Sequence, residues 1–202
     1  MQNLHKKALF LSYFTVGYNI LEGVCSIFFG TVTGSVALVG FGIDSFIESL
    51  SGSIMIWRFG KHGNLSKEDE ERIEKKAIKL IGYSFFILGA YVLLKSGKAL
   101  YFGERPDPSL AGIIIAILSL IIMPVLFYIK HKTGKALKSK SLVADSKQTL
   151  ACIIMSVALL TGLALNYLYQ IWWLDPIVGV FIALILFKEG KEALEEEKLC
   201  NC

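Results

Sequence analysis

A chain of 202 residues could be one soluble domain, yet 54% of its residues are hydrophobic and its charges are clustered rather than spread, which argues against a soluble protein. The net charge of +4 calls for no nucleic-acid partner, because the basic residues are placed for a simpler reason. Cys25, Cys152, Cys200 and Cys202 make no disulfide framework, since two lie inside apolar runs and two among the last residues of the sequence.

Apolar stretches of roughly 17–25 residues, the length a helix needs to cross about 30 Å of hydrocarbon, recur along the chain. They predict six spans at Ala8–Phe29, Val32–Trp57, Ala77–Leu100, Pro108–Ile129, Ser141–Asn166 and Ile171–Phe187. Span 1 follows Lys6 and Lys7 as a secretory signal would. It is too long for such a signal, has no small-residue cleavage site and is followed by further spans, so it is expected to be retained. Ahead of span 3, NLSKEDEERIEKKAIK carries a capping signature, Ser66 then Asp69, and a favourable Glu71 and Lys75 pair. This segment is expected to extend span 3 beyond the membrane. Asp107-Pro108 reads as the cap and first residue of span 4, and Asp175-Pro176 gives the same signal for span 6, with Trp172 and Trp173 as interfacial anchors. After Phe187, KEGKEALEEEKLCNC is too short and too charged for a folded domain. The expected organisation is a membrane domain over 1–187 and a short charged helical tail over 188–202.

Lysine and arginine near helix ends stay on the cytoplasmic side. Lys6 and Lys7 precede span 1, seven basic residues from Arg58 to Lys79 separate spans 2 and 3, Lys130, Lys132, Lys135, Lys138 and Lys140 connect spans 4 and 5, and Lys188, Lys191 and Lys198 follow span 6. The opposite connections carry little charge. Both termini are therefore expected in the cytoplasm. His5, His62 and His131 fall in the same cytoplasmic segments and are expected to be solvated rather than to bind a ligand.

An ionisable group near the middle of a bilayer costs at least about 2.5–3.5 kcal/mol, so Glu22, Asp44, Glu48 and Asp145 each require a reason. Asp44 and Glu48, in FGIDSFIES, are four residues apart and share one helix face. Two ionised carboxylates there repel unless a cation or a shared proton neutralises them. The pair suits exchange of a divalent cation with protons; the bland alternative is a structural role, hydrogen-bonded to neighbouring helices. On span 5, Asp145, Gln148 and Cys152 also share a face and offer oxygen or sulfur to a metal. Alone, that trio reads better as an interfacial cap, interhelical glue and packing.

A faint internal match, Leu38-Val39 with Leu142-Val143, sets Asp44 opposite Gln148 and Glu48 opposite Cys152, hinting at a repeated three-helix unit. Asn19 and Glu22 share a face of span 1 and form a candidate third-helix ligand or proton relay. The glycines of spans 2 and 3 permit close packing. No phosphate loop, nucleophile elbow or metalloprotease motif is present, so the protein is expected not to be an enzyme.

With its six spans, the DxxxE pair on span 2, SLVADS opening span 5 and WWLDPIVG before span 6, the chain resembles the cation diffusion facilitator family across essentially the whole transmembrane region. The resemblance implies an all-α membrane protein of two three-helix repeats that exports divalent metal in exchange for protons by alternating access, as a homodimer. It resembles the short branch of the family, without a C-terminal cytoplasmic domain. It implies metal ligands at Asp44 and Glu48, and at Gln148 and Cys152, where the family more often has His and Asp. Asp145 matches the Asp of the family's AD signature and could stand in as a ligand.

The metal, whether zinc, iron, manganese or cobalt, is then a substrate rather than a cofactor. The partners expected are this ion, protons, the lipid bilayer and a second copy of the chain, in a bacterial or organellar inner or plasma membrane. The competing expectation is a non-transporting membrane metal sensor or assembly partner.

Overall fold

The computed structural model describes residues 2–60, 67–107, 109–137 and 139–199. Its elements are helices α1 (Gln2–Thr33), α2 (Val36–Gly60), α3 (Lys67–Phe102), α4 (Leu110–Leu137), α5 (Lys140–Tyr169) and α6 (Leu174–Leu199). Each expected span corresponds to one helix, and α3 extends well ahead of its apolar part, as expected. Five helices contain a stretch long and apolar enough to cross a membrane: Leu4–Thr33, Val36–Trp57, Phe85–Phe102, Leu110–Leu137 and Asp145–Tyr169. The apolar part of α6, Pro176 to Phe187, is shorter, roughly 18 Å of helix. Beyond it α6 continues as a charged helix with exposed i,i+4 pairs, Lys188 with Glu192 at 3.6 Å and Lys191 with Glu195 at 3.7 Å. The Ser66 cap, His62, Cys200 and Cys202 lie outside the described residues.

Two helix starts differ from expectation. The cap of α4 is Ser109, whose Oγ accepts from Gly112 N–H at 3.1 Å; the Asp107 N–H instead donates to the Thr33 carbonyl at 2.8 Å. Helix α6 already begins at Leu174, and Asp175 serves another helix. Its Oδ2 accepts from Val36 N–H at 2.9 Å, and its Oδ1 accepts from the Ser35 hydroxyl, so it satisfies donors at the start of α2 that have no partner within their own helix. Asn166 Nδ2 donates to the Pro106 carbonyl at 3.2 Å. These bonds gather the α1–α2, α3–α4 and α5–α6 connections at one end, here the distal end. The α2–α3 and α4–α5 connections lie at the opposite, terminal end.

Helices pack as three hairpin-like pairs, α1 with α2, α4 with α5 and α3 with α6, and α2 also touches α3, α5 and α6. Small residues permit the closest approaches. A Cβ on Gly42 would lie 2.8 Å from Ser26 Cβ and 2.9 Å from the Gly23 carbonyl oxygen, so α1 and α2 meet backbone to backbone. In α3, Gly82 and Gly89 receive Leu194 and Phe187 of α6, while Gly97 faces open space.

The internal match is realised in three dimensions. A Cβ on Gly30 would meet the Val39 nitrogen at 2.8 Å, and one on Gly134 would meet the Val143 nitrogen at 3.1 Å. Ser35 and Ser139 each cap the helix that follows, accepting from Leu38 N–H at 3.1 Å and Leu142 N–H at 3.4 Å. One register therefore pairs Gly30 with Gly134, Ser35 with Ser139, Asp44 with Gln148 and Glu48 with Cys152. The first turn lies at the distal end and the second at the terminal end, so the repeats have inverted topology. Phe10, Leu21 and Phe28 of α1 and Leu118, Ile121 and Val125 of α4 point outward, an apolar belt suited to lipid.

Overpacking the α1–α2 contact should be costly. Gly42→Val is expected to lose about 1–3 kcal/mol, seen as a lower thermal midpoint in detergent, whereas Gly97→Ala should be neutral or up to about 1 kcal/mol more stable. Equal midpoints for the two variants would contradict this packing.

Candidate metal-binding site

Helix α2 has the most buried span of the bundle, and the glycine contact with α1 holds its polar face inward. Asp44 and Glu48 are both buried and, four residues apart in α2, lie one turn apart on the same face. Facing them from α5, Cys152 is fully buried and within range of the charges of Glu48, Glu22 and Asp44. Gln148 sits one turn nearer the terminal end. Glu48 Oε2 and Gln148 Oε1 are buried without a hydrogen-bond partner, as are both polar atoms of the Asn19 amide on α1. Such orphaned oxygens are rare in protein interiors and require an explanation; a cation or ordered water would satisfy them.

Next to these orphans lies a residue that the sequence reading left in a loop. Lys130 belongs to α4 and is fully buried. Its Nζ lies 3.0 Å from Asp145 Oδ2 and 3.7 Å from Glu48 Oε1, and donates to Thr149 Oγ1 at 3.0 Å. The Thr149 hydroxyl donates to Glu48 Oε1 at 2.6 Å, and the Ser51 hydroxyl donates to Asp145 Oδ1 at 3.1 Å. Asp145 thus has both oxygens engaged, and the cap of α5 is Ser139 instead. Glu48 is divided, Oε1 facing the ammonium and hydroxyl and Oε2 unpartnered.

Toward the distal end, Glu22 forms a second polar cluster. Its Oε1 accepts from the Tyr18 hydroxyl at 2.8 Å and its Oε2 from the Ser45 hydroxyl at 2.9 Å. Ser156 Oγ lies 2.9 Å from Ser119 Oγ. Asn19 and Glu22 are both buried, but Glu22 is occupied by hydroxyls whereas Asn19 is bare.

His131 is also displaced from the expected solvated segment. It lies in α4, half-buried, stacked on Phe127 with ring centroids 5.5 Å apart, and Nδ1 is 3.1 Å from Ser146 Oγ. A stripe on α4 could have exposed Lys130: Ser119, Met123, Leu126 and Lys130 fall at helical spacing and all are buried. Thr149, Ser51 and Tyr18 carry no comparable signal, because lone hydroxyls are common in membrane helices. Among the described residues no three His, Cys, Asp or Glu side chains gather tightly enough to enclose a metal ion, so the candidate donors lie on facing helices without closing a shell.

Inverted repeats of membrane-length helices with acidic side chains and a thiol buried among them define a class, the multi-pass helical membrane proteins. Residues 12–197 match the cation efflux transmembrane domain, and the chain belongs to that family, the cation diffusion facilitators. Membership supports reading it as a cation transporter. It is 27% identical over 194 residues to transmembrane protein 163 of Xenopus laevis, covering 96% of this chain and 68% of that protein. It is 29% identical over 174 residues to an uncharacterized transporter of Methanocaldococcus jannaschii, covering 84% and 61%. It is 24% identical over 172 residues to the cation-efflux pump FieF of Shewanella oneidensis, covering 81% and 55%. The chain thus spans only part of the length of each of these relatives.

Removing one member of a buried ion pair leaves the other without a counter-charge, at a cost of about 3–5 kcal/mol. Lys130→Met should therefore sharply lower the thermal midpoint in detergent, and Lys130→Met with Asp145→Asn should recover most of the loss. A double variant no more stable than the single one would show that the pair does not account for the effect.

Proposed function

We propose that the protein carries a divalent transition-metal ion across the membrane, in exchange for protons, at a site formed by Asp44 and Glu48 of α2 with Gln148 and Cys152 of α5. The observation that carries the reading is the pair of unpartnered buried oxygens, Glu48 Oε2 and Gln148 Oε1, beside a buried acidic pair and a buried thiol. A divalent ion supplies the charge that two carboxylates in a low-dielectric interior lack, and protons can replace it when it leaves. The donor set mixes hard oxygen with soft sulfur, which suits zinc, cobalt, manganese or ferrous iron better than calcium or magnesium.

Asn19 is a further candidate oxygen donor in this reading, and Glu22 with Tyr18 and Ser45 is a proton-handling group toward the distal end. Asp145 acts by holding Lys130 and supplies no metal bond in this state. The proposed assembly is a homodimer with its termini in the cytoplasm, and the proposed direction is export.

A second reading is favoured by one observation. With Asp145 and half of Glu48 engaged by Lys130, fewer acidic donors are free than in a four-ligand site, which suits a metal sensor or assembly partner that binds without transport.

Purified protein in liposomes, with a pH gradient imposed and Zn2+, Mn2+ and Co2+ each supplied, separates the readings. Transport predicts gradient-driven accumulation of at least one ion, whereas a sensor binds metal with no flux. Asp44→Ala or Glu48→Ala should each lower the initial rate by at least the roughly 10–100-fold that losing an outer-sphere partner costs a metal site. Unchanged rates would remove these carboxylates from the site. Cys152→Ser should shift preference from Zn2+ toward Mn2+, because it replaces a soft donor with a hard one.

A further inference from the structure

Lys130 plays no part in the metal-bound state just described, yet its ammonium is buried against one of the proposed ligands. We propose that it is a tethered counter-ion that competes with the transported metal for Glu48. It would occupy the carboxylate while the carrier is empty and withdraw to Asp145 when metal arrives. The proposal rests on the metal-transport reading and adds a residue that sets affinity and permits the empty carrier, free of metal but bearing the exchanged protons, to return.

The geometry supports exchange over a static pair. Nζ is nearer to Asp145 Oδ2, at 3.0 Å, than to Glu48 Oε1, at 3.7 Å, so Asp145 can retain the ammonium when Glu48 turns to a metal. Thr149 bridges the two groups, accepting from Nζ at 3.0 Å and donating to Glu48 Oε1 at 2.6 Å, and it can stay bonded to the lysine after Glu48 leaves. Ser51 fixes the other oxygen of Asp145 at 3.1 Å, which anchors the resting place of the ammonium. The opposite face of Glu48, Oε2, is the one left bare. One carboxylate thus has a side toward an internal cation and a side available to an external one.

The charge balance explains the need for such a group. With no metal bound, Asp44, Glu48 and Asp145 all ionised would place three negative charges in the bilayer interior, and charged groups there are tolerated only when paired. The lysine, shared between Glu48 and Asp145, cancels one of the three without leaving the protein, and the exchanged protons neutralise the rest. When a divalent ion takes Asp44 and Glu48, the lysine and Asp145 remain matched to each other. The same cation that eases the empty return must weaken metal binding, because the binding-competent fraction of the empty protein is reduced.

Two kinds of transport separate this role from a structural one. Net uptake requires the metal-free, proton-bearing carrier to return, whereas exchange of labelled for unlabelled metal does not. In liposomes carrying whichever of Zn2+, Mn2+ and Co2+ the wild type transports, Lys130→Met with Asp145→Asn should bind that ion about tenfold more tightly, the factor expected if the lysine-paired form is roughly nine-tenths of the empty protein. Its net uptake should fall by about the same factor, while exchange at saturating metal stays within roughly twofold of wild type. Lys130→Met alone should behave alike where it folds; where it does not, the double variant decides. Weaker or unchanged metal binding, or equal losses in net uptake and exchange, would overturn the proposal while leaving metal transport intact. If the wild type carries none of the three ions, the transport reading fails and this one falls with it.

Discussion

A single ammonium group, that of Lys130, lies where α2, α4 and α5 meet and ties together two carboxylates separated by nearly one hundred positions in the chain. Without a cation there, Glu48 and Asp145, both buried, would face each other as like charges across the α2–α5 contact. The neighbouring hydroxyls of Thr149 and Ser51 complete the arrangement, so each oxygen on the lysine side has a partner. The other side of Glu48, with Gln148 and Asn19, is left deficient in partners. Glu48 is therefore divided between two sides at one depth, satisfied toward Lys130 and unsatisfied on the other.

Much of this architecture can be read from the sequence because a bilayer imposes a simple length rule. The spans emerge from apolar runs alone, and Asp44 and Glu48 stand out because charges inside such runs are costly. The two-residue match of Leu38-Val39 with Leu142-Val143 also points to the correct register. What escapes the sequence is what depends on helices meeting. Lys130 looks like a flanking charge because lysines are usually retained at membrane edges, and only its phase with Ser119, Met123 and Leu126 shows that it turns inward. Asp175 resembles the cap of its own helix, yet its carboxylate bonds to the first turn of α2, a tertiary contact that no local rule reveals. The bare oxygens of Asn19 and Gln148 are invisible for the same reason, since a missing partner is a property of the packed bundle.

The inverted repeat explains why a lysine can be accommodated on one side only. In the register that pairs the two halves, Lys130 corresponds to Ser26, Phe127 to Gly23 and Ser146 to Gly42. Where the first repeat places small residues, α1 and α2 meet backbone to backbone. The second repeat places larger side chains at the matching points of Gly23 and Ser26, a long cation among them. The acidic pair of α2 and the neutral pair of α5 follow the same division. Symmetry at the level of backbone turns thus coexists with opposite electrostatics, one half negative and the other supplying a positive tether.

The bond network of Asp175 at the start of α2 gives that helix a fixed end. A rod held at one end moves little near the anchor and most at its far end. From Val36, Asp44 lies roughly 12 Å along the axis and Glu48 roughly 18 Å, so a tilt of about ten degrees would displace them by roughly 2 Å and 3 Å. The larger displacement is comparable to the separation between Glu48 and the Lys130 ammonium, 3.7 Å. For any such tilt, the anchoring aspartate, at the opposite end of the bundle from the lysine, is the fulcrum, and the lever arm is measured out in turns of α2.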